Sequence, residues 1–203
     1  MPLSSTTQIA NMALSLLGIS KSIANLDNEN SAEAKACRIF YENTRDTVLS
    51  DFPWPFAGKF ADLALVETSP NDEWGYSYRY PTDALQIRRI LSGIRNDNQD
   101  SRVVYKIASD DSGLLIFTDQ VDAQIEYTKL ITAVEFYPQV FVRAMAYHLA
   151  AAIAPRLTAG DPFKREQRCY QLYQATLEAA QAKVLDEEQP DNPPESEFIR
   201  GRD

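Results

Sequence analysis

The segment FPWPFA, residues 52–57, constrains the fold of this chain more than any other feature. Pro53 restricts the residue before it to extended backbone, and neither Pro53 nor Pro55 can donate the hydrogen bond that continues a helix. Apolar side chains follow a helical period before the segment, whereas short strand-like runs come after it. The segment therefore predicts the point at which a helical region ends and a β region begins.

Two amphipathic helices are predicted in the first part, residues 1–57. The first spans residues 5–17, because Ser5 and Gln8 have the spacing of a capping box and Gly18 is placed to end the helix. The second begins near Ser31 or Asn30 and ends at Phe52, where the following proline disfavours helical backbone.

The residues from 58 to 132 predict a small antiparallel β-module, a sandwich or a barrel. Short runs rich in Val, Ile, Tyr and Phe alternate with polar turns, which is typical of such modules. Arg88 and Arg89 lie in one of these runs, so we expect their side chains on opposite faces of the sheet. The predicted strands are 60–67, 76–80, 84–91, 102–107, 113–118 and 123–130.

Helices return in residues 133–187. Residues 138–154 are apolar nearly all round, which predicts a buried central helix that Pro155 ends. A last helix is expected to start with Pro162 as its first residue and to fade near Asp186. Residues 188–203 are rich in proline and charge and predict an extended arm. The fold class is therefore α+β: a helical bundle built from the N- and C-terminal helices, with the β-module inserted.

Two groups of aromatic residues are candidates for contacts between parts or between subunits. Phe52, Trp54 and Phe56 alternate along FPWPFA, so Trp54 either packs at the junction of the bundle and the β-module or fills the bundle core. The second group alternates onto one face of a strand and forms either a sheet core or a subunit interface, where Tyr is enriched. Its members are Trp74, Tyr76, Tyr78 and Tyr80.

Charge and cysteine content exclude several classes of protein. The formal net charge is -9, of which the residues from Asp186 onward carry -5, leaving -4 for the rest. A phosphate-binding surface needs clustered Lys and Arg, so a DNA-binding module is disfavoured. Two cysteines without CxxC spacing predict neither a disulfide framework nor a metal site. We also expect no cofactor. Because the sequence lacks a signal peptide and a long apolar run, we expect no membrane partner and synthesis in a cytoplasm.

The sequence offers little for catalysis. The single histidine, His148, lies in the most apolar helix, where a core role is expected. Pairs of acidic residues fall in predicted turns, and glycine-rich nucleotide-binding loops do not occur. We therefore expect no enzyme.

The order of several motifs resembles that of the head-to-tail adaptor (connector) proteins of tailed bacteriophages, including the tail tubular protein A group. The resemblance covers nearly the whole chain except the last dozen residues, and the order and spacing of the motifs carry it. The motifs are FPWPFA, WGYSYRYPTDALQIRRI, GLLIFT, IEYTKLI and FYPQVFVRAMAYHLAAAIAPRLT.

The resemblance implies a structural role in the neck of the virion. Such adaptors form a roughly dodecameric ring that binds the portal protein, extends the DNA channel and presents a platform to a tail, nozzle or tail-tube protein. Genomic DNA passes without specific binding. Because some proteins of this kind are credited with cell-wall cleavage, a peptidoglycan hydrolase is the alternative. The arm is expected to dock on the portal or on a neighbouring subunit through Pro190, Pro193, Pro194, Phe198, Ile199 and Arg200.

Overall fold

The computed structural model describes residues 5–94, 101–161 and 163–187. These residues contain four α-helices and two antiparallel sheets, and their strands form no closed barrel. The predicted mixture of helices and sheets is therefore confirmed, while the closed form of the β-module is not observed. The helices are α1 (Thr6–Leu16), α2 (Ala32–Asp51), α3 (Gln139–Leu157) and α4 (Arg165–Glu187).

Helix α1 begins and ends as its sequence predicts. The hydroxyl of Ser5 accepts a hydrogen bond from the backbone N–H of Gln8, at 3.1 Å. At the other end Gly18 adopts a φ of 71°, and the N–H of Ile19 donates to the carbonyl of Leu14. That bond is typical of a Schellman motif, in which glycine supplies the left-handed conformation. Helix α2 is capped in the same way by Ser31, which accepts from the N–H of Ala34.

Helix α3 lies at the centre, because α1, α2 and α4 all pack against it. Its buried side chains include Phe141, Met145, Leu149 and Ile153, each one turn from the next, with small alanines between them. The expectation that Pro155 ends this helix is wrong, since the helix continues to Leu157. Proline in the last turn forfeits one hydrogen bond but keeps a φ that suits a helix.

Helix α4 starts later than its sequence suggests. Pro162, the predicted first residue, lies outside the described residues, and the helix as described begins at Arg165. The carboxylate of Asp161 accepts hydrogen bonds from the N–H groups of Arg165 and Glu166, at 2.8 and 2.7 Å. A carboxylate at this position satisfies two of the N–H groups that the first turn leaves unpaired.

In the described part of the chain, seven strands form a three-stranded sheet, in the order β1-β7-β4, and a four-stranded sheet, in the order β2-β3-β6-β5. All neighbouring strands are antiparallel. The strands are β1 (Gly58–Asp62), β2 (Leu65–Thr68), β3 (Tyr76–Arg79), β4 (Ala84–Ile90), β5 (Tyr105–Asp110), β6 (Gly113–Thr118) and β7 (Gln124–Lys129).

Two strand predictions need correction. The run predicted as one strand, 60–67, is two strands in different sheets, because the chain crosses between the sheets at Leu63 and Ala64. Leu63 donates its N–H to Ala123 on one side, and Ala64 accepts from Arg79 on the other. The run predicted at 102–107 forms β5 at Tyr105–Asp110 instead, because the turn to β6 is only two residues long.

The buried apolar residues form two cores. The larger core takes buried residues from all four helices and from the FPWPFA segment. The smaller core takes residues from both sheets, including Tyr78, Ile87, Ile116 and Tyr127. The predicted arm, 188–203, lies outside the described residues. None of the described helices has the length and apolar character needed to cross a membrane.

Candidate functional site

The FPWPFA segment forms the joint between the helices and the sheets. Helix α2 ends at Asp51, and Phe52 adopts extended backbone, as expected for a residue before proline. A short 3-10 helix, Pro55–Ala57, then leads directly into β1 at Gly58. The chain therefore passes from the last residue of α2 to the first residue of β1 within seven residues.

The ring of Trp54 is buried in the helical core. Its indole N–H donates to the carbonyl of Val48 at 2.7 Å. Its ring meets Phe52 and Phe141 edge to face, with centroids 4.9 and 5.2 Å apart. Phe56 packs on Phe141 in the same way, at 5.0 Å. Trp54 and Phe56 thus contact α3, the central helix, and Phe52 packs on Trp54.

The backbone of Trp54, in contrast, faces the three-stranded sheet. Its carbonyl accepts a hydrogen bond from the guanidinium of Arg88 in β4, at 2.7 Å. The same guanidinium donates to the hydroxyl of Thr128 at 3.1 Å and to the carboxylate of Glu126 at 3.3 Å. Arg88 therefore connects the joint to two strands. Gly58 leaves room for it, since a Cβ there would lie 2.8 Å from Nη1 of Arg88.

The alternation of side chains along a strand predicts that Arg88 and Arg89 point to opposite faces of the sheet. In the structure they do not. The pairing of β4 with β7 shifts register between Ile87 and Arg89, which marks a β-bulge at Arg88. As a result both arginines contact one carboxylate, and Nε of Arg89 donates to Oε2 of Glu126 at 2.9 Å. The doubled arginine was visible in the sequence, but the bulge that brings the two side chains together was not.

A cleft of about 840 Å³ opens beside this joint. Its walls come from the end of α2, from β4 and β7, and from Val184 near the end of α4. Arg88, Arg89 and Arg102 face it, together with the acidic groups of Asp51 and Glu126. Because three arginines face two carboxylates, the lining of the cleft carries a net charge of only about +1.

The tyrosine group is divided between core and surface. Tyr78 is 2% exposed, and its hydroxyl donates to the carbonyl of Gln120 at 2.8 Å. Tyr76 and Tyr80 are half-buried against the smaller core. Trp74 is also half-buried, and its indole N–H has no hydrogen-bond partner among the described residues. The structure thus places Tyr78 inside the sheets and leaves the other three partly accessible.

His148 is half-buried, and both cysteines are buried. The ring of His148 meets Tyr173 edge to face, with centroids 4.9 Å apart, and burial lowers its pKa. Burial raises the pKa of Cys37 to about 11 and also raises that of Cys169. Both thiols are therefore protonated at neutral pH, which disfavours nucleophilic attack. In the described part of the chain no three His, Cys, Asp or Glu side chains are grouped as metal ligands.

Several carboxyl groups have a pKa below the usual range. A hydrogen bond from Ser31 lowers the pKa of Glu29, and one from Arg79 lowers that of Asp110. Burial raises the pKa of Asp83, but hydrogen bonds from Lys59 and Tyr127 outweigh it and the net shift is downward. A general acid in glycoside hydrolysis needs the opposite shift, so these groups are not suited to that role.

Comparison with known proteins adds no assignment. No protein-family model matches the sequence, and no curated protein matches it significantly.

Proposed function

We propose that this protein is a structural head-to-tail adaptor of a tailed bacteriophage. Copies of it form a ring under the portal, which extends the DNA channel and provides the attachment platform for tail proteins. The proposal starts from the order of the motifs at 52–57, 74–90, 113–118 and 125–158. It gains support from the distribution of apolar residues on the surface.

The observation that carries the proposal is the number of large apolar side chains that a single copy leaves exposed. On the helical side, Phe136 is 64% exposed and Phe163 is 75% exposed. On the β side, Phe60 is 62% exposed and Val104 is 70% exposed. Exposed apolar groups in both parts of a subunit are available for contacts with neighbouring copies and with other proteins of the neck, because such contacts would remove their apolar surface from water.

We also propose the finer form of the fold, an antiparallel sandwich inserted into a helical bundle. The single core shared by all four helices supports the bundle, and the core shared by both sheets supports the sandwich. In a ring, each part would contact its counterpart in the next subunit. The joint at FPWPFA and Arg88 would then hold the two sets of contacts in a fixed relative position.

The test is assembly with portal rings of the phage that encodes this chain. Negative-stain images of the mixture should show an added tier beneath the portal, and sedimentation should show a heavier particle. The variants Phe136→Asp and Ile107→Asp, at exposed apolar positions, should reduce occupancy of that tier. Lys106→Asp, an exposed polar neighbour in β5, is the matched control. Absence of a tier with the unmodified protein would refute the adaptor function.

A further inference from the structure

A groove lies between α1 and α4, with α3 as its floor. Two adjoining pockets of about 410 and 490 Å³ form it, and Ser15 and Leu16 of α1 line both. Ala146 and Tyr147 of α3 lie beneath, and Leu172 of α4 forms part of the opposite wall. We call this feature the α1–α4 groove.

The groove combines apolar walls with a positive rim. Met12, Leu16 and Leu172 expose between 36% and 38% of their surface there. Arg143, Arg165 and Arg168 also line it, and none of the described lining residues is acidic. Arg165 is engaged, because its guanidinium donates to the carbonyl of Leu17 and lies over the ring of Phe163. The described residues offer no hydrogen-bond or ion-pair partner to the side chains of Arg143 and Arg168.

One segment of this chain has the complementary chemistry. Residues 188–203 carry five acids against two arginines, and they contain the adjacent apolar pair Phe198 and Ile199. Glu195 and Glu197 come immediately before that pair. An apolar pair preceded by acidic groups matches an apolar groove bordered by arginines, because each charged group can stay at the solvent-exposed rim.

The length of the segment also fits. The 23 residues of α4 span about 34 Å at the rise of an α-helix. Phe198 follows Glu187 by eleven residues, which also span about 34 Å in the extended conformation that prolines favour. A segment that turns back at the end of α4 and follows the helix therefore brings Phe198 level with Arg165. Glu197 then comes within reach of Arg168.

The face of α4 that leads to the groove is continuous. Leu172, Thr176, Ala179 and Lys183 follow one another at helical spacings of three and four, so they share the side of the helix that carries Arg168. The returning segment would follow this side from the end of α4 to the groove.

We propose that, in the free subunit, the acidic segment 188–203 folds back along α4 and inserts Phe198 and Ile199 into the α1–α4 groove of the same chain. Glu195 and Glu197 pair with the arginines of the rim. The contact covers both the groove and the apolar pair. When the segment leaves, both apolar surfaces become exposed. It does not depend on the adaptor function, although an adaptor would use the same segment to engage its neighbours.

The cleft at the joint is a weaker candidate for the same segment. Arg88 and Arg89 already bind Glu126, and Asp51 adds a further negative charge to its lining. The α1–α4 groove offers three arginines and no acid, so charge complementarity favours it.

Backbone amide spectra of ¹⁵N-labelled protein can locate the contact. We expect the full chain and a chain ended after Gln189 to differ at Ser15, Leu16 and Arg168, and to agree at Arg88 and Arg89. The double variant Phe198→Asp/Ile199→Asp should reproduce the spectrum of the shortened chain. The differences should persist on dilution, because the contact lies within one chain.

Three results would overturn the proposal. Differences confined to the last turn of α4 would show that the segment leaves the helix without docking. Differences at Arg88 and Arg89 would place it in the cleft at the joint. Differences that disappear on dilution would show that a second copy supplies the segment.

A charge exchange tests the pairing itself. A peptide of residues 188–203, added to the chain ended after Gln189, should bind roughly fivefold more weakly to the Arg168→Glu variant, as expected for an exposed ion pair. A peptide carrying Glu197→Arg should regain that loss. The Lys106→Glu variant, which carries the same charge change on the four-stranded sheet, should bind like the unmodified protein. Equal binding to all three proteins would overturn the proposed pairing.

Discussion

Replacement of Arg88 by methionine should weaken the connection between the helices and the sheets. The side chain is 14% exposed and makes three hydrogen bonds, to Trp54, Thr128 and Glu126. Methionine keeps most of the apolar stem but removes all three donors. The hydroxyl of Thr128 then no longer accepts a hydrogen bond from Arg88. Because Thr128 is only 1% exposed, water does not easily replace that donor.

The expected loss is about 3 kcal/mol of unfolding free energy. Hydrogen bonds that involve a charged group contribute about 1.5–3 kcal/mol each, but they are not additive. Two acceptors keep other partners, because Trp54 also accepts from the N–H of Ala57 and Glu126 also binds Arg89. The sum is therefore well below three times the value of one bond.

Arg89→Met is the matched control. Arg89 belongs to the same strand and contacts the same carboxylate, but its side chain is 44% exposed. An exposed ion pair contributes less than about 1 kcal/mol. Urea unfolding followed by far-UV circular dichroism should show a midpoint lower by about 1 M for Arg88→Met and almost unchanged for Arg89→Met. Equal shifts in the two variants would refute the assignment of the connection to Arg88.

Four further predictions concern the joint, the half-buried histidine and the arm. Trp54→Ala should cost about 3–5 kcal/mol in urea unfolding, and small-angle scattering should show a looser relative position of the two parts if the residue also serves the joint. Gly58→Ala should destabilise the protein by about 1 kcal/mol, since its Cβ displaces the guanidinium of Arg88. In the Arg88→Met background most of this cost should disappear, and only the tight contact with the carbonyl of Pro55 remains. Burial lowers the pKa of His148, and the charge of Asp51 opposes this shift only in part. In the unfolded chain the pKa of this histidine is 6.5, so the unfolded state binds the proton first as the pH falls. Stability therefore decreases as the pH drops below that value. His148→Phe should therefore reduce the difference in urea midpoint between about pH 7.5 and about pH 5.5, and an unchanged difference would assign it to other groups. Truncation after Gln189 should lower the occupancy of portal rings, and unchanged occupancy would show that the arm is not the anchor.

Local signals predicted the positions where helices start and stop. Ser5, Gly18 and Ser31 act on backbone groups within a few residues of themselves, so their effect does not depend on the rest of the fold. The change from helix to strand at FPWPFA was predicted for the same reason, because proline restricts the backbone of its own residue and of the one before.

Features that depend on partners distant in sequence were not predictable. The run 60–67 has continuous strand character, and only its pairing with β7 on one side and β3 on the other divides it between two sheets. The bulge at Arg88 likewise depends on the register of β7. The end of α3 was predicted too early because proline is tolerated in the last turn of a helix, and the sequence does not show where that turn lies.

The candidate sites follow the same division. The aromatic segment could be identified from the sequence, but its contact with Arg88 joins residues that lie 34 positions apart. The α1–α4 groove requires residues from three helices, the first and last of which lie more than a hundred residues apart. The apolar period of one helix does not indicate which part of its surface the neighbouring helices leave uncovered.

Arginine serves the connections between elements in this acidic chain. The guanidinium of Arg38 donates to the carbonyls of Leu26 and Glu29, in the loop between α1 and α2. Arg165 donates to the carbonyl of Leu17 at the end of α1, and Arg88 to that of Trp54 at the joint. Each carbonyl lies outside the α-helices and strands, so the hydrogen-bond pattern of those elements does not supply its partner; the carbonyl of Trp54 also accepts from the N–H of Ala57. A planar group with five donors can bind such a carbonyl and a second acceptor at once, which lysine does less well. The connections are thereby fixed by side chains rather than by added secondary structure, and in the proposed ring they would hold the apolar surfaces of both parts at a constant spacing.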